Sequence, residues 1–328
     1  MYLTASRILS KIKMIDRSVF IGIDTSNYTT SIAVCDSEGN ILLNLKKLLD
    51  VKEGERGLRQ SDAVFAHTKN FSQFADELAK AIQGRNIAAV GVSVAPRDAE
   101  GSYMPCFLVG KSVASMISAI SEVPLYCFSH QSGHIMAALH SSGVNDMIMR
   151  ASFIAFHVSG GTTEALLVKP KSNGFDVQLI AETADISAGQ AIDRAGVMMG
   201  MKFPCGKEIE HQACEFSGVV PKYKISVKNG KCNFSGLENI SQKLYKETGD
   251  KSYVSACVLD FVANTLCKIT EDIRNEYGDL PILYAGGVMS NKLLQARLSA
   301  YGDTYFATPE FSTDNAAGIA LLARKAHN

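Results

Sequence analysis

The sequence predicts an α/β protein in which one plan of strands and helices occurs twice. The segment Phe153-Ile-Ala-Phe-His-Val-Ser-Gly-Gly-Thr-Thr-Glu-Ala-Leu-Leu167 reads as an apolar strand, a hydroxyl- and glycine-rich turn and a second apolar strand. Laid without a gap on Phe20–Val34, at an offset of 133 residues, it matches at five of fifteen positions. About one match is expected by chance from average residue usage. Beyond each hairpin, strands alternate with helices, which calls for a mostly parallel continuation of the sheet. A length of 328 residues suits two such domains and a closing segment.

In chain order, Val19–Val34 is the first hairpin, and Cys35–Asn40 turns into a third strand, Ile41–Leu45. Asp50–Ser61, charged and glycine-containing, reads as a loop. From Asp62 to Ile82 the residues Val64, Phe65, Phe71, Phe74, Leu78 and Ile82 mark the apolar stripe of an amphipathic helix. Ala88–Ala95 is a buried strand, Pro96–Pro105 breaks it, Phe107–Ile120 returns to helical spacing and Val123–Phe128 is the next strand. Ser129 is suited to cap a helix running to about His140. The second copy has its hairpin at Phe153–Leu167, a third strand near Val177–Ala181 and a helix up to Met199 that Ser187 can cap. Met201–Phe234, with Pro204, Gly206 and Pro221, reads as irregular, and Asn233–Leu237 leads into a helical region. Val254–Tyr277 is a long apolar helix ended by Gly278. A strand at Pro281–Ala285, a helix at Lys292–Leu298 and a last helix at Ala316–Lys325 follow. The expected division is an extension at 1–17, a first lobe at 18–148 closed by the C-terminal helix 314–328, and a second lobe at 149–313.

Composition narrows the classes of function. Hydrophobic residues make up 46% and charged residues 20%, as in a globular protein with an ample core. Lys plus Arg and Asp plus Glu both number 33, so no overall charge draws the chain to nucleic acid, and any RNA role calls for partners. The eight cysteines form no C-x-x-C pair and several sit in apolar runs, which suits reduced thiols in the cytoplasm. No uninterrupted apolar run approaches the roughly 18 residues a membrane span needs. Met1–Arg17 mixes Arg7, Lys11, Lys13 and Arg17 with apolar residues but has no signal-peptide core; it is expected to be an extension, with Met14 as an alternative start.

Several places invite chemistry. Gly160 and Gly161 permit positive φ, so backbone N–H groups flanked by Ser159, Thr162 and Thr163 can approach an anion such as phosphate. His130 and His134, four apart, share one helix face, where both imidazoles can hold a metal ion or serve as surface or capping groups. Asp193, beside Ile192, Val197 and Met199, can accept from ribose hydroxyls or be merely solvated. The run Gly286-Gly-Val-Met-Ser-Asn291 between a strand and a helix is a place for a nucleotide, although it lacks the G-x-G-x-x-G fingerprint. Asp314 stands at the mouth of the last helix, as ligand or cap.

Together these motifs are a resemblance. Gly22-Ile-Asp-Thr-Ser26 with Ser31–Val34, His130-x-x-x-His134, Val158-Ser-Gly-Gly-Thr-Thr163, Ala188-Gly-Gln-Ala-Ile-Asp193, Phe234-Ser-Gly-Leu237, Ala285-Gly-Gly-Val-x-x-Asn291 and Ser312-Thr-Asp-Asn315 stand in the order and spacing of the TsaD family. Its members are tRNA threonylcarbamoyladenosine synthases, once called glycoproteases of family M22, and the resemblance runs from Val19 to His327. It implies duplicated RNase H-like lobes of the actin, sugar kinase and heat-shock chaperone ATPase superfamily, with a nucleotide cleft between lobes. It implies a divalent metal, iron or zinc, on His130, His134 and Asp314. ATP or threonylcarbamoyl-adenylate would lie along Ser159, Gly160, Gly161, Thr162, Asp193, Gly206 and Asn291. The reaction implied is transfer of a threonylcarbamoyl group to N6 of adenosine 37 of tRNA, with TsaB-like and TsaE-like partners, no membrane, and a dimer as one arrangement.

The chain also departs from the family pattern. An acidic pair after Thr-Ser is replaced by Tyr28 and Thr29, leaving the catalytic residue unassigned. A Gly-Pro-Gly loop is replaced by Pro96–Pro105, Ser-Gly-Gly-His-Thr by Ser-Gly-Gly-Thr162-Thr163, and a Gly-Gly pair by Cys205-Gly206. These differences describe a divergent paralogue. They leave open a different carbamoyl acceptor, or a nucleotide-binding regulatory partner without catalysis. Proteolysis is disfavoured, since H-x-x-x-H lacks the helix-borne glutamate of H-E-x-x-H enzymes.

Overall fold

A computed structural model describes residues 17–26, 28–50, 58–143, 151–172, 174–311 and 316–328. The expected extension, most of the Asp50–Ser61 loop and Asp314 lie outside the described residues. The chain divides into two compact units, residues 1–133 with 315–328, and residues 134–314.

In the first unit β1 (Ser18–Thr25), β2 (Thr29–Asp36) and β3 (Ile41–Leu48) form an antiparallel meander. β4 (Asn86–Ala95) and β5 (Leu125–Ser129) add in parallel, giving the order β3-β2-β1-β4-β5. Period-two alternation assigns the two faces of β1. Val19, Ile21 and Ile23 bury against α1 (Gln60–Ile82) and α2 (Phe107–Ser121), with Phe74 and Ala114 in the same cluster. The other face receives α9 (Ala317–His327) at backbone distance: a Cβ on Gly22 would lie 2.3 Å from Ala320 N and 2.5 Å from Ala316 O. Only glycine permits that approach. α3 (His130–Ser142) starts where β5 ends. Its N-cap is Ser129 as expected: Ser132 N–H donates to Ser129 Oγ at 3.1 Å.

The second unit repeats the plan. β6 (Phe153–Val158), β7 (Thr163–Lys171) and β8 (Gly174–Thr183) are an antiparallel meander, and β11 (Ile282–Ala285) and β12 (Thr304–Phe306) add in parallel beside β6. The order β8-β7-β6-β11-β12 is the order of the first unit, extended beyond β8 by β10 (Lys231–Asn233) and β9 (Ser226–Lys228). α4 (Ala188–Met198), α5 (Gly206–Glu215), α6 (Gly236–Thr248), α7 (Lys251–Tyr277) and α8 (Lys292–Leu298) complete it. Ile154, Phe156 and Val158 of β6 pack into one core with Val258, Val262 and Leu266 of α7. By length and composition α7 could cross a bilayer, which the interrupted apolar pattern did not suggest, yet 67% of its most apolar stretch is buried in this unit. It is the helix on which the core is built.

Met201–Phe234, expected to be irregular, contains α5 and the β9–β10 hairpin. Only Ile209 and Ala213 of α5 are buried, too thin a stripe to show as periodicity. β12 was also missed; at three residues it is shorter than any pattern can reveal.

Candidate functional site

The tip of the β6–β7 hairpin is closed by its own bonds. Ser159 N–H donates to Thr162 O at 2.8 Å, and the N–H groups of Gly161 and Thr162 reach Ser159 Oγ at 3.3 and 3.1 Å. Neither Gly160 nor Gly161 uses the positive φ that glycine permits. What they provide is room, since a Cβ on either would meet nothing within 4 Å. The start of α4 lies behind the tip. Ser187 forms a capping box with Gln190, and its Oγ also donates to Gly160 O at 2.9 Å. Gly189 N–H donates to Ser159 O at 3.2 Å, and a Cβ there would fall 2.5 Å from that oxygen. The end of β11 presses on the same place. Gly286, at φ 101°, would put a Cβ 2.2 Å from Val158 O, so this position demands glycine twice over.

Asp185 secures the approach to α4. Burial opposes its charge. Hydrogen bonds from Ser235, Phe234 and Asn233 outweigh that and hold the carboxyl at about 2.

The other nucleotide candidates have structural duties. Cys205 N–H donates to Asp193 Oδ1 at 2.7 Å, tying α4 to the start of α5, where Gly206 has open space at its Cβ position. Asn291 is buried and caps α8, accepting from Leu294 N–H at 3.0 Å.

In the first unit a buried acid stands at the end of β1. Asp24 is 0% exposed and its Oδ1 lies 2.9 Å from His130 Nδ1, while Ser93 Oγ donates to the same oxygen. Asp24 Oδ2 is buried and has no hydrogen-bond partner. The His130 ring lies 6.2 Å from the ring of Phe107. Nearby, Thr25 Oγ1 donates to Cys106 O at 3.0 Å and accepts from Gly110 N–H at 3.2 Å. Burial, with the Asp24 charge second, pushes the Cys106 thiol up to about 11, so it stays protonated. His67 is buried, and Thr30 Oγ1 meets its Nδ1 at 2.8 Å while accepting from Asn70 at 2.9 Å. Burial lowers the pKa of that imidazole. Tyr28 is exposed and Thr29 buried where the family pattern has acids.

In the second unit His134 has an aromatic neighbour that the sequence reading passed over: the ring centroid of His157, on β6, lies 5.5 Å away with planes 32° apart. The boundary between units falls between Gly133 and His134, so the two histidines of α3 are grouped with different units. Among the described residues no three His, Cys, Asp or Glu side chains gather in a way that could hold an ion. The donors nonetheless suit a metal of the zinc or iron kind. A carboxylate on Nδ1 is the usual second partner of a histidine that ligates a metal, and Asp24 Oδ1 lies 2.9 Å from His130 Nδ1. Two imidazoles sharing one tetrahedral ion set their centroids about 5 Å apart. Asp24 and His157 each had a visible mark, a polar residue inside an otherwise apolar strand.

Two units, each with an antiparallel hairpin at the centre of a mixed sheet, define the class: this is the fold of the actin-like ATPases and sugar kinases. It is similar to full-length HypF at TM-score 0.57 and 14% identity, over 94% of this chain and 55% of that one. It is also similar to component A of the (R)-2-hydroxyglutaryl-CoA dehydratase of Acidaminococcus fermentans, at TM-score 0.53 and 14% identity over 94% and 98% of the two chains. Within that class a model of TsaD, tRNA N6-adenosine threonylcarbamoyltransferase, matches residues 46–321, and the chain belongs to this family. A curated tRNA N6-adenosine threonylcarbamoyltransferase of Streptococcus suis is 28% identical over 329 aligned positions, covering 96% of this chain and 94% of its own.

Proposed function

We propose that this protein transfers a threonylcarbamoyl group from its adenylate to N6 of adenosine 37 in tRNA, in the cytoplasm, together with TsaB-like and TsaE-like partners. The observation that carries the reading is the Ser159–Thr162 tip, in a chain whose family match spans 46–321. At the tip, glycines 160 and 161 face open space, with Gly189 at backbone distance from Ser159 and Gly160, and Gly286 at backbone distance from Val158 just before it. ATP or the adenylate lies along this tip, with its phosphate against Gly160 and Gly161 and taking over the N–H groups of Gly161 and Thr162 from Ser159 Oγ. Asp193, Gly206 and Asn291 bound the same ligand.

His130, His134 and Asp314 hold a divalent metal, with His157 beside His134 as a further donor. When bound, the metal supplies a Lewis acid to a phosphate or carbamoyl oxygen. The chain's own part is to fix both imidazoles on α3 and to keep Asp24 and Ser93 behind the first of them.

The test is reconstitution: the purified chain, family partners, threonylcarbamoyl-adenylate and tRNA, with mass spectrometry of the tRNA nucleosides. Threonylcarbamoyladenosine at position 37 is the expected product. Its absence, with each partner shown to be active alongside an established family member, would overturn the reading. A second reading, another carbamoyl acceptor, is favoured by one observation, the exposed Tyr28 and buried Thr29 in place of acids. Adenylate consumed at the same rate without tRNA would select it.

A further inference from the structure

One segment is strongly basic in a chain whose charges balance. Between Glu215 and Glu238 stand Lys222, Lys224, Lys228 and Lys231 and no acid, while Lys plus Arg and Asp plus Glu number 33 each over the whole chain. From Lys222 to Lys228 exposure alternates residue by residue. Tyr223, Ile225 and Val227 pack against the core, so Lys222, Lys224, Ser226 and Lys228 point away from it. Lys231, opposite Lys228 on β10, is ion-paired with Glu182. Among the described residues the other three lysines are in no ion pair. They lie on β9 and the segment before it, in the hairpin that extends the second sheet and has no counterpart in the first.

The strand register leads from this edge back to the candidate site. Lys228 pairs with Lys231, Lys231 with Glu182, Glu182 with Glu164 and Glu164 with His157, so these five residues share one face of the sheet. Four strand steps of about 4.8 Å put Lys228 about 19 Å from His157. Lysines on an edge strand also block pairing with another chain. That duty belongs to β9, which is three residues long, and gives no account of Lys222 and Lys224 before it. Like charges aligned without an acid repel one another, and a polyanion relieves them.

We infer that Lys222, Lys224 and Lys228 bind the sugar-phosphate backbone of the tRNA whose adenosine is modified, holding it across this edge of the second unit. The inference rests on the proposed tRNA activity. It supplies the local attraction that the balanced overall charge lacks. Contacts of this kind position an RNA without reading its sequence, and they make affinity fall as salt rises.

The test uses the full chain with its TsaB-like and TsaE-like partners and fluorescent substrate tRNA. First, acetic anhydride labelling of the wild-type complex with and without tRNA, read by mass spectrometry, reports protection lysine by lysine. Lys222, Lys224 and Lys228 should be shielded, and full reactivity under saturating tRNA would overturn the inference without any variant having to fold. Second, tRNA affinity is compared by anisotropy at about 50 and about 200 mM salt, a range over which each phosphate contact is worth a factor of about three. With Lys222→Gln, Lys224→Gln and Lys228→Gln combined, the affinity gained at the lower salt should be about 30-fold smaller. Lys222→Arg, Lys224→Arg and Lys228→Arg combined should keep it. Lys243→Gln, Lys268→Gln and Lys292→Gln combined remove the same charge from lysines of this unit that have partners. An equal loss there would overturn the inference in favour of net charge. Partner proteins lost from the Gln variant in sedimentation without tRNA would assign the lysines to an acidic protein surface and overturn it too. If the wild type modifies tRNA and the Gln variant keeps its affinity and salt dependence, this inference alone fails. If the wild-type complex binds no tRNA, the tRNA reading fails and this inference falls with it.

Discussion

The two hairpins of the repeat are built alike and finished differently. In the first, the strand end delivers Asp24 into a dry cluster with Ser93 and His130, and Thr25 is spent on Cys106 and Gly110. In the second, the equivalent end delivers His157 to His134, and the chain then opens into two glycines that face solvent space. The overlay of the copies puts Asp24 and His157 at one position. That position of the repeat meets one histidine of α3 in each copy, an acid meeting His130 and an imidazole meeting His134. The duplication therefore kept a geometry and changed its chemistry: one hairpin ends in a buried carboxylate, the other presents backbone.

The sharpest break in this contrast is Gly189→Ala. The three atoms nearest its Cβ would be backbone atoms of Ser159 and Gly160, at 2.5 to 2.7 Å, so the tip must move off α4. A loss of about 3 kcal/mol is expected from overpacking of this kind, read from urea unfolding. Ser187→Ala is next. It removes the cap on Gln190 N–H and the bond to Gly160 O together, about 2 kcal/mol in all. Gly160→Ala separates ligand space from fold. With nothing within 4 Å of the new methyl, the unfolding midpoint should stay put while ATP affinity by calorimetry drops about tenfold, about 1.4 kcal/mol. An unfolding loss comparable to that of Gly189→Ala would show the tip to be structural on both sides.

Much of this was legible beforehand. Apolar alternation marked both hairpins, and hydroxyl residues before apolar stripes marked the caps at Ser129 and Ser187. Local signals failed where stability is tertiary: α5 buries two side chains of its own and is held by α7 and by Asp193 at its start. The site was legible as residue types but not as company. Nothing local says that Asp24 meets a histidine 106 positions away or that Asn291 spends its side chain on a cap. The turn chemistry permits positive φ at Gly160 and Gly161, but the Ser159 side chain closes the turn without it, so what the glycines supply is space.

The smallest effect tests the support beneath the second hairpin. Asp185 gathers Ile186, Phe234 and Ser235 N–H groups at 2.7, 2.9 and 3.0 Å, joining the end of β8 to the start of α6. Its folded pKa, about 2, lies below the unfolded value, so the bonded carboxylate adds stability that is complete above the unfolded pKa and fades as pH falls through the folded one. Because the side chain is largely exposed, solvent screening leaves about 1 kcal/mol of this at neutral pH. Asp185→Asn should therefore be weaker than wild type by about that amount at pH 7, with the gap narrowing between about pH 4 and pH 2. Urea midpoints at pH 7, 4.5 and 3 give the comparison. A gap that does not change with pH would assign the loss to the geometry of the amide rather than to charge, and the electrostatic account of this corner would be wrong.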